Sequence, residues 1–307
     1  MSKTTKILIA LVVVFGAIYA IQRFTSKNST TETSRPFAGI DTAKVSRVTV
    51  DFGKRIVVAR TDSGWMITEP VRFPAAPGQM SLLLIRMASN PTATVVADNL
   101  TDSSAYGLGK GAAYASFVAV GGKKIAMRVG DVTPDYDGCY IQLVGSDKVL
   151  QLSTNIRPLV GQSLTSWRDK AIFHFGISDV EAADFALGDT LYHFLHRDTT
   201  WTVNDIEIPQ TRARDIVETL LGSRAVGFID STVAPSKVII DYGVTLNNRQ
   251  HIAGQVYKSA GSEITTGQLC LSNSADNQIF TISSTLPQNL LRSLRDLRRT
   301  YLTKKSS

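Results

Sequence analysis

The chain has 307 residues, 43% of them hydrophobic and 19% charged, with a formal net charge of +7. That length favours two domains over one, and the apolar content suffices for a core that needs neither disulfides nor metal. The charge sits at the ends: Lys3, Lys6, Arg23 and Lys27 give +4 with no acid, and Arg292, Arg295, Arg298, Arg299, Lys304 and Lys305 against Asp296 give +5, which leaves −2 for the body. With no basic stripe through that body and no nucleic-acid-binding motif, nucleic acid is not an expected partner.

Ile7 to Ile21 is a charge-free apolar run behind Lys3 and Lys6, the order of a positive n-region and an apolar h-region. It is shorter than the roughly 20 residues that span a bilayer, but Thr4, Thr5 and Gln22 extend it and Lys6 and Arg23 can snorkel. Signal-peptide cleavage is the rival. Ala20 suits the last residue removed, whereas Ile18 stands where a small residue is wanted. The expectation is an uncleaved single-pass anchor in the cytoplasmic membrane (residues 1–26), with the body on the extracytoplasmic, periplasmic side. Residues 27–39 are polar and Ser/Thr-rich and read as a tether.

Residues 40–172 form the first predicted unit. Val45 to Phe52 alternates with a period of two, Gly53-Lys54 turns, Arg55 to Thr61 returns, and Trp65-Met66-Ile67 adds a third strand. Past Pro74 and Pro77-Gly78, Met80, Leu83, Leu84 and Met87 have helical spacing over Gln79 to Ser89. Thr94 to Ala97 is a short strand. Ser116 to Val120 and Lys124 to Val129 pair across Gly121-Gly122, and Cys139 to Val144 and Lys148 to Leu152 pair across Gly145-Ser146. A helix from about Ile156 to Trp167 closes the unit.

Residues 173–303 repeat this order, before a basic tail at 304–307. Val180 to Leu187 with Gly188 matches the first strand and its turn, Trp201 matches Trp65, and Arg212 to Leu221 is the helix. Val238 to Leu246 and the strand after it flank Asn247-Asn248, the counterpart of Gly121-Gly122. Asp147 to Lys170 lies over Asn277 to Thr300 without a gap. The period is too long for a solenoid repeat, so the expected fold class is α+β: two similar tandem units of antiparallel sheet with packed helices, after one N-terminal transmembrane helix.

The segment from Trp65 to Ala75, Tyr106-Gly107-Leu108, the Gly130-Asp131-x-Thr133-Pro134…Tyr140 run and Trp167-Arg168-Asp169-Lys170 resemble a bacterial family of unknown function. Its members are membrane-anchored and extracytoplasmic, and some accompany ABC-type transporter subunits of the gliding-motility kind. The resemblance spans about residues 42–303 and implies an accessory role with no catalytic residues to transfer. In the second unit Tyr-Gly-Leu has no clear counterpart, and Trp-Arg-Asp-Lys becomes Leu297-Arg298-Arg299-Thr300.

Each candidate chemistry meets a plainer reading. Cys139 and Cys270 invite a disulfide in an oxidising compartment, but the overlay places them on equivalent strands of different units, which favours two buried thiols. His193 and His196 would point to opposite faces of a strand and lack a third ligand. The Asp131, Asp135, Asp137, Gly138 loop fails the calcium-loop pattern and suits a polar turn. No G-x-S-x-G elbow, P-loop or dinucleotide fingerprint occurs. Trp65 and Trp201 read as core aromatics in preference to ligand-stacking platforms. No catalytic, cofactor-binding or metal-binding residue is assigned, and no cofactor is expected.

The reading is an anchored accessory or scaffold protein, with ABC-type transporter subunits as expected partners. The alternatives are an envelope-polymer hydrolase and a glycan- or peptide-binding module. The candidate interaction site is the C-terminal helix, roughly Leu286 to Leu302. There Leu290, Leu294, Leu297 and Tyr301 recur at helical spacing, and Arg292, Arg295, Arg298 and Arg299 occupy the remaining surface.

Overall fold

The computed structural model describes residues 32–99, 104–231, 234–260, 267–275 and 278–303. The run Ile7–Ile21 lies outside them, and among the described residues no helix is long and apolar enough to cross a membrane. The chain divides between Arg168 and Asp169 into two units. It is mostly β, each unit being one antiparallel sheet with few helices.

The first unit contains β1 (Thr33–Ser34), β2 (Val45–Asp51), β3 (Arg55–Thr61), β4 (Gly64–Glu69), β5 (Phe73–Pro74), α1 (Pro77–Ala88) and β6 (Ala93–Ala97). It continues with β7 (Ala113–Ala119), β8 (Lys124–Val132), β9 (Cys139–Leu143), β10 (Val149–Leu152), α2 (Arg157–Val160) and α3 (Leu164–Trp167). The sheet runs β1-β6-β10-β9-β8-β7-β2-β3-β4-β5. Alternation along the strands sends Val48, Val50, Ile56, Val58, Phe117 and Met127 inward. They meet Met80, Leu83 and Met87, the three- and four-residue stripe of α1. Pro77 opens that helix where an N–H would have no intrahelical acceptor.

The second unit contains β11 (Val180–Leu187), β12 (Thr190–Arg197), β13 (Thr200–Val203), β14 (Ile206–Ile208), α4 (Gln210–Leu221) and β15 (Gly227–Ile229). It ends with β16 (Pro235–Leu246), β17 (His251–Ser259), β18 (Leu269–Asn273), β19 (Gln278–Thr281) and α5 (Thr285–Leu297), which runs into a π-helical turn over Arg298–Leu302. Its sheet runs β14-β13-β12-β11-β16-β17-β18-β19-β15. Strand for strand this is the order of the first unit without β1. Even a bulge recurs, between Val45 and Arg47 and between Val180 and Ala182. The helix after the fourth strand of each set buries one face, in α4 through Ala213, Ile216, Val217 and Leu220.

Two expectations need correction. The single helix over Ile156 to Trp167 is two short turns, because Gly161 ends the first and Ser163 is extended, with φ −68° and ψ 160°. In the gapless overlay Gly161 falls on Leu291, and there α5 runs on unbroken. The tryptophans also differ. Both stand second on equivalent strands, each opposite a residue of the preceding strand, Arg60 for Trp65 and His196 for Trp201. Trp201 is only 1% exposed and His196 stacks on it at 4.6 Å. Trp65 is half-buried at the rim of the core, with the Arg60 guanidinium 5.6 Å from its ring centroid.

Candidate functional site

The leucines and arginines of α5 divide as their spacing dictates. Leu286, Leu290, Leu294 and Leu297 are buried, and Arg292, Arg295, Arg298 and Arg299 are exposed. Arg295, Arg298 and Arg299, at i, i+3 and i+4, share one flank. That flank forms one wall of a cavity of about 750 Å³, whose other walls come from β11, β12, β16 and β17. Lys237 and Lys258 line it too, and they are direct cross-strand partners in the β16–β17 ladder. Five cationic side chains therefore converge on one space. No carboxylate lines it among the described residues; Asp296 pairs with Arg299 at 3.4 Å from outside the lining. Arg292 is not part of this cavity. It faces an adjoining depression with Gln288 and Asp296, and Leu291 and Arg295 line both.

The rest of the lining is apolar or hydroxylic. Leu187, Val238, Ile239 and Leu291 supply hydrocarbon wall. Thr190 Oγ1 lies 3.3 Å from an Arg298 guanidinium nitrogen, which donates to it. Burial pushes the Tyr192 phenol above its ordinary range, and the charges of Arg298 and Arg295 pull it the other way. Tyr192 thus places its oxygen within the field of both arginines. Chemically the arrangement can neutralise a multiply charged anion while shielding an apolar group.

In the first unit the corresponding place is filled. Counted from the shared bulge, Ala113 corresponds to Ile240, Val129 to Val256 and Phe52 to Leu187. The next residues along β8 and β17 are Gly130 and Tyr257, then Asp131 and Lys258. The Tyr106–Gly111 loop lies against this end of β8. A Cβ on Gly130 would stand 2.1 Å from the Tyr106 carbonyl oxygen and 3.0 Å from Leu108, which is fully buried. A Cβ on Gly107, where φ is +65°, would meet the Asp131 carboxylate at 2.3 Å. Arg128 donates to the Gly109 carbonyl at 2.8 Å. Arg157 donates to the Val129 carbonyl at 2.7 Å, and its guanidinium covers the Phe52 ring at 4.7 Å. The motif residues Tyr106, Gly107, Leu108, Gly130, Asp131 and Tyr140 thus meet in one place, Tyr106 and Tyr140 edge to face at 5.0 Å. Their role there is packing.

The remaining candidates resolve locally. His193 Nδ1 lies 2.6 Å from Asp184 Oδ1, its cross-strand neighbour, while His196 is on the opposite face against Trp201. Among the described residues no group of three His, Cys, Asp or Glu is placed to hold a metal ion. Cys139 and Cys270 are buried free thiols, each pushed above the usual thiol range by burial. The Asp135 loop is a turn. Thr133, itself buried, bonds the Asp135 carboxylate and accepts from the Gly138 N–H at 2.9 Å, and the Thr133 contact holds the Asp135 carboxyl below its usual range.

Residues 65–243 match the family described as Domain of unknown function (DUF4340). The chain belongs to that family. The DUF4340 match runs from Trp65 on β4 to Gly243 on β16. It takes in both tryptophan strands and the Tyr106–Gly111 loop, and it stops before Lys258 and α5. No curated protein and no solved structure matches the chain. Of the four arginines singled out in the sequence, three line the cavity and Arg292 does not. Lys237, Lys258, Thr190 and Tyr192 were not legible as site residues. Register counted straight out from the Asn247-Asn248 turn would set Lys258 opposite Val238; the bulge between Val238 and Ile240 brings the two lysines opposite each other.

Proposed function

We propose that this DUF4340 protein is a non-enzymatic accessory or scaffold subunit: two tandem copies of one α+β-type unit held at the cytoplasmic membrane by Ile7–Ile21. Its body lies on the extracytoplasmic side, where it works beside an ABC-type transporter. The observation that carries the reading is the two-sided C-terminal helix. Its leucines are committed to the core, and its four arginines are exposed. A charge-free run behind two lysines supports the anchor, and the sequence resemblance supports the location and the partner. The arginines then meet an acidic face of a transporter subunit, a contact that salt weakens.

The test is affinity purification of the full chain from gently solubilised membranes, with protease treatment of intact spheroplasts alongside. The reading expects transporter subunits to copurify, to be released by salt, and to be lost when Arg292, Arg295, Arg298 and Arg299 are all changed to Gln. It expects the body to be digested from outside. Full protection of the body, a soluble mature form beginning near Ile21, or a complex indifferent to the four substitutions contradicts it. Binding to anionic vesicles in place of a protein partner would move the contact to the lipid headgroups, where each cation contributes about 1 kcal/mol.

A further inference from the structure

We infer that the cavity of the second unit is a binding site for a phosphate-bearing ligand with an apolar portion. Lys237 and Lys258 stand directly opposite each other in the β16–β17 ladder, and like charges at such a pair destabilise a sheet. Arg295, Arg298 and Arg299 bring three more cations to the same space, and among the described residues only Arg299 has a carboxylate partner, Asp296. A bound polyanion removes this repulsion. A phosphate monoester, carrying roughly 1.5 to 2 negative charges near neutrality, answers the cluster better than a single carboxylate. Guanidinium forks suit phosphate oxygens in bidentate contacts, and lysines add mobile point charges.

Size and wall chemistry narrow the class. About 750 Å³ falls within the range of small-ligand sites, roughly 300–1,000 Å³. The hydrocarbon wall of Leu187, Val238, Ile239 and Leu291 gains nothing from a bare ion, whereas a ligand with its own apolar part buries that surface. The helix supplying three of the cations ends in a π turn over Arg298–Leu302, which carries Arg298 and Arg299. The ligand is then a phospholipid headgroup with part of its chains, or a soluble phosphate ester. The inference shares Arg295, Arg298 and Arg299 with the accessory-subunit reading and is distinguished from it by requiring Lys237 and Lys258 and having no use for Arg292.

The experiment is calorimetric titration of the full chain in neutral detergent with inorganic phosphate, glycerol phosphate and dihexanoyl phosphatidic acid. One saturable site is expected. Phosphatidic acid should bind tightest, and glycerol phosphate or inorganic phosphate binding as tightly would overturn the apolar portion of the ligand. Lys237→Gln with Lys258→Gln should weaken the preferred ligand by about tenfold or more, the scale of a lost charge-assisted contact. Val238→Trp, which narrows the cavity without changing its charge, should weaken it too. Arg292→Gln should leave it unchanged. Absence of binding by all three probes overturns the inference. So does binding that survives the double lysine variant, or binding that Arg292→Gln weakens as much as the lysine changes do, which would mark a diffuse basic surface.

Discussion

The two units share a strand order and differ in what closes one end of the sheet. In the first, the connection from Asp98 to Ala112 carries Tyr106-Gly107-Leu108 down onto Gly130, and Arg157 covers Phe52. In the second, the connection from Asp230 to Ala234 is far shorter. Leu187 stands where Phe52 would be, and an unbroken helix stands where two short turns would be. The difference teaches that the inward alternation of the strands fixes the sheet. What caps the sheet is then free to become a plug in one copy and a cationic cavity in the other.

The largest expected effect probes the shared core. Trp201→Ala, at a fully buried site, should cost about 3–5 kcal/mol. Trp65→Ala, at the rim, should cost about 1–2 kcal/mol, in line with its smaller buried area. Denaturant melts of the full chain decide, and equal losses would erase the distinction between the two strands. Next comes the plug. Leu108→Ala should destabilise the first unit by about 2–4 kcal/mol through the cavity it leaves, and it should speed amide exchange in β8 more than in β17, as read by hydrogen–deuterium exchange.

A pH dependence sharpens the contrast further. In the second unit burial pushes Tyr257 to about 12, with Cys270 adding to the effect, and burial pushes Tyr242 higher still. The folded state holds these phenols protonated where the unfolded chain ionises them. Their contribution is therefore present below the unfolded value of about 10 and is lost as pH rises from there through the folded value. Thermal melts between neutral pH and that alkaline window should fall, and Tyr257→Phe should flatten the decline. The smallest effect belongs to Arg60→Ala, at about 0.5–1 kcal/mol for an exposed cation over the Trp65 ring, read from the same melts.

Much of this fold is legible in the residues. The period of two marks β2, β3, β11 and β12, three- and four-residue stripes mark α1 and α4, and the glycine and asparagine pairs mark the hairpins. Illegible were features set by distance in space. The break between α2 and α3 turns on the backbone at Gly161 to Ser163, where sequence period alone reads straight through. The half-burial of Trp65 does not follow from its place in the sheet, since β13 is likewise one strand in from its edge and Trp201 there is fully buried; what differs is the cross-strand side chain against the ring, Arg60 in place of the stacked His196. In the site, Arg295, Arg298 and Arg299 announce themselves by clustering. Lys237 and Lys258 do not, because only the register of β16 on β17 makes them neighbours.

The central claim is that the second unit keeps open, and lines with cations, a space that the first unit fills. Its most direct test is an experimental structure of the full chain with dihexanoyl phosphatidic acid bound. The account predicts the phosphate among Lys237, Lys258 and Arg298, its chains against Val238 and Leu291, and Leu108 still seated against Gly130 in the first unit. A ligand bound against Gly130 in place of Leu108, or on the Arg292 face with the cavity empty, would contradict it.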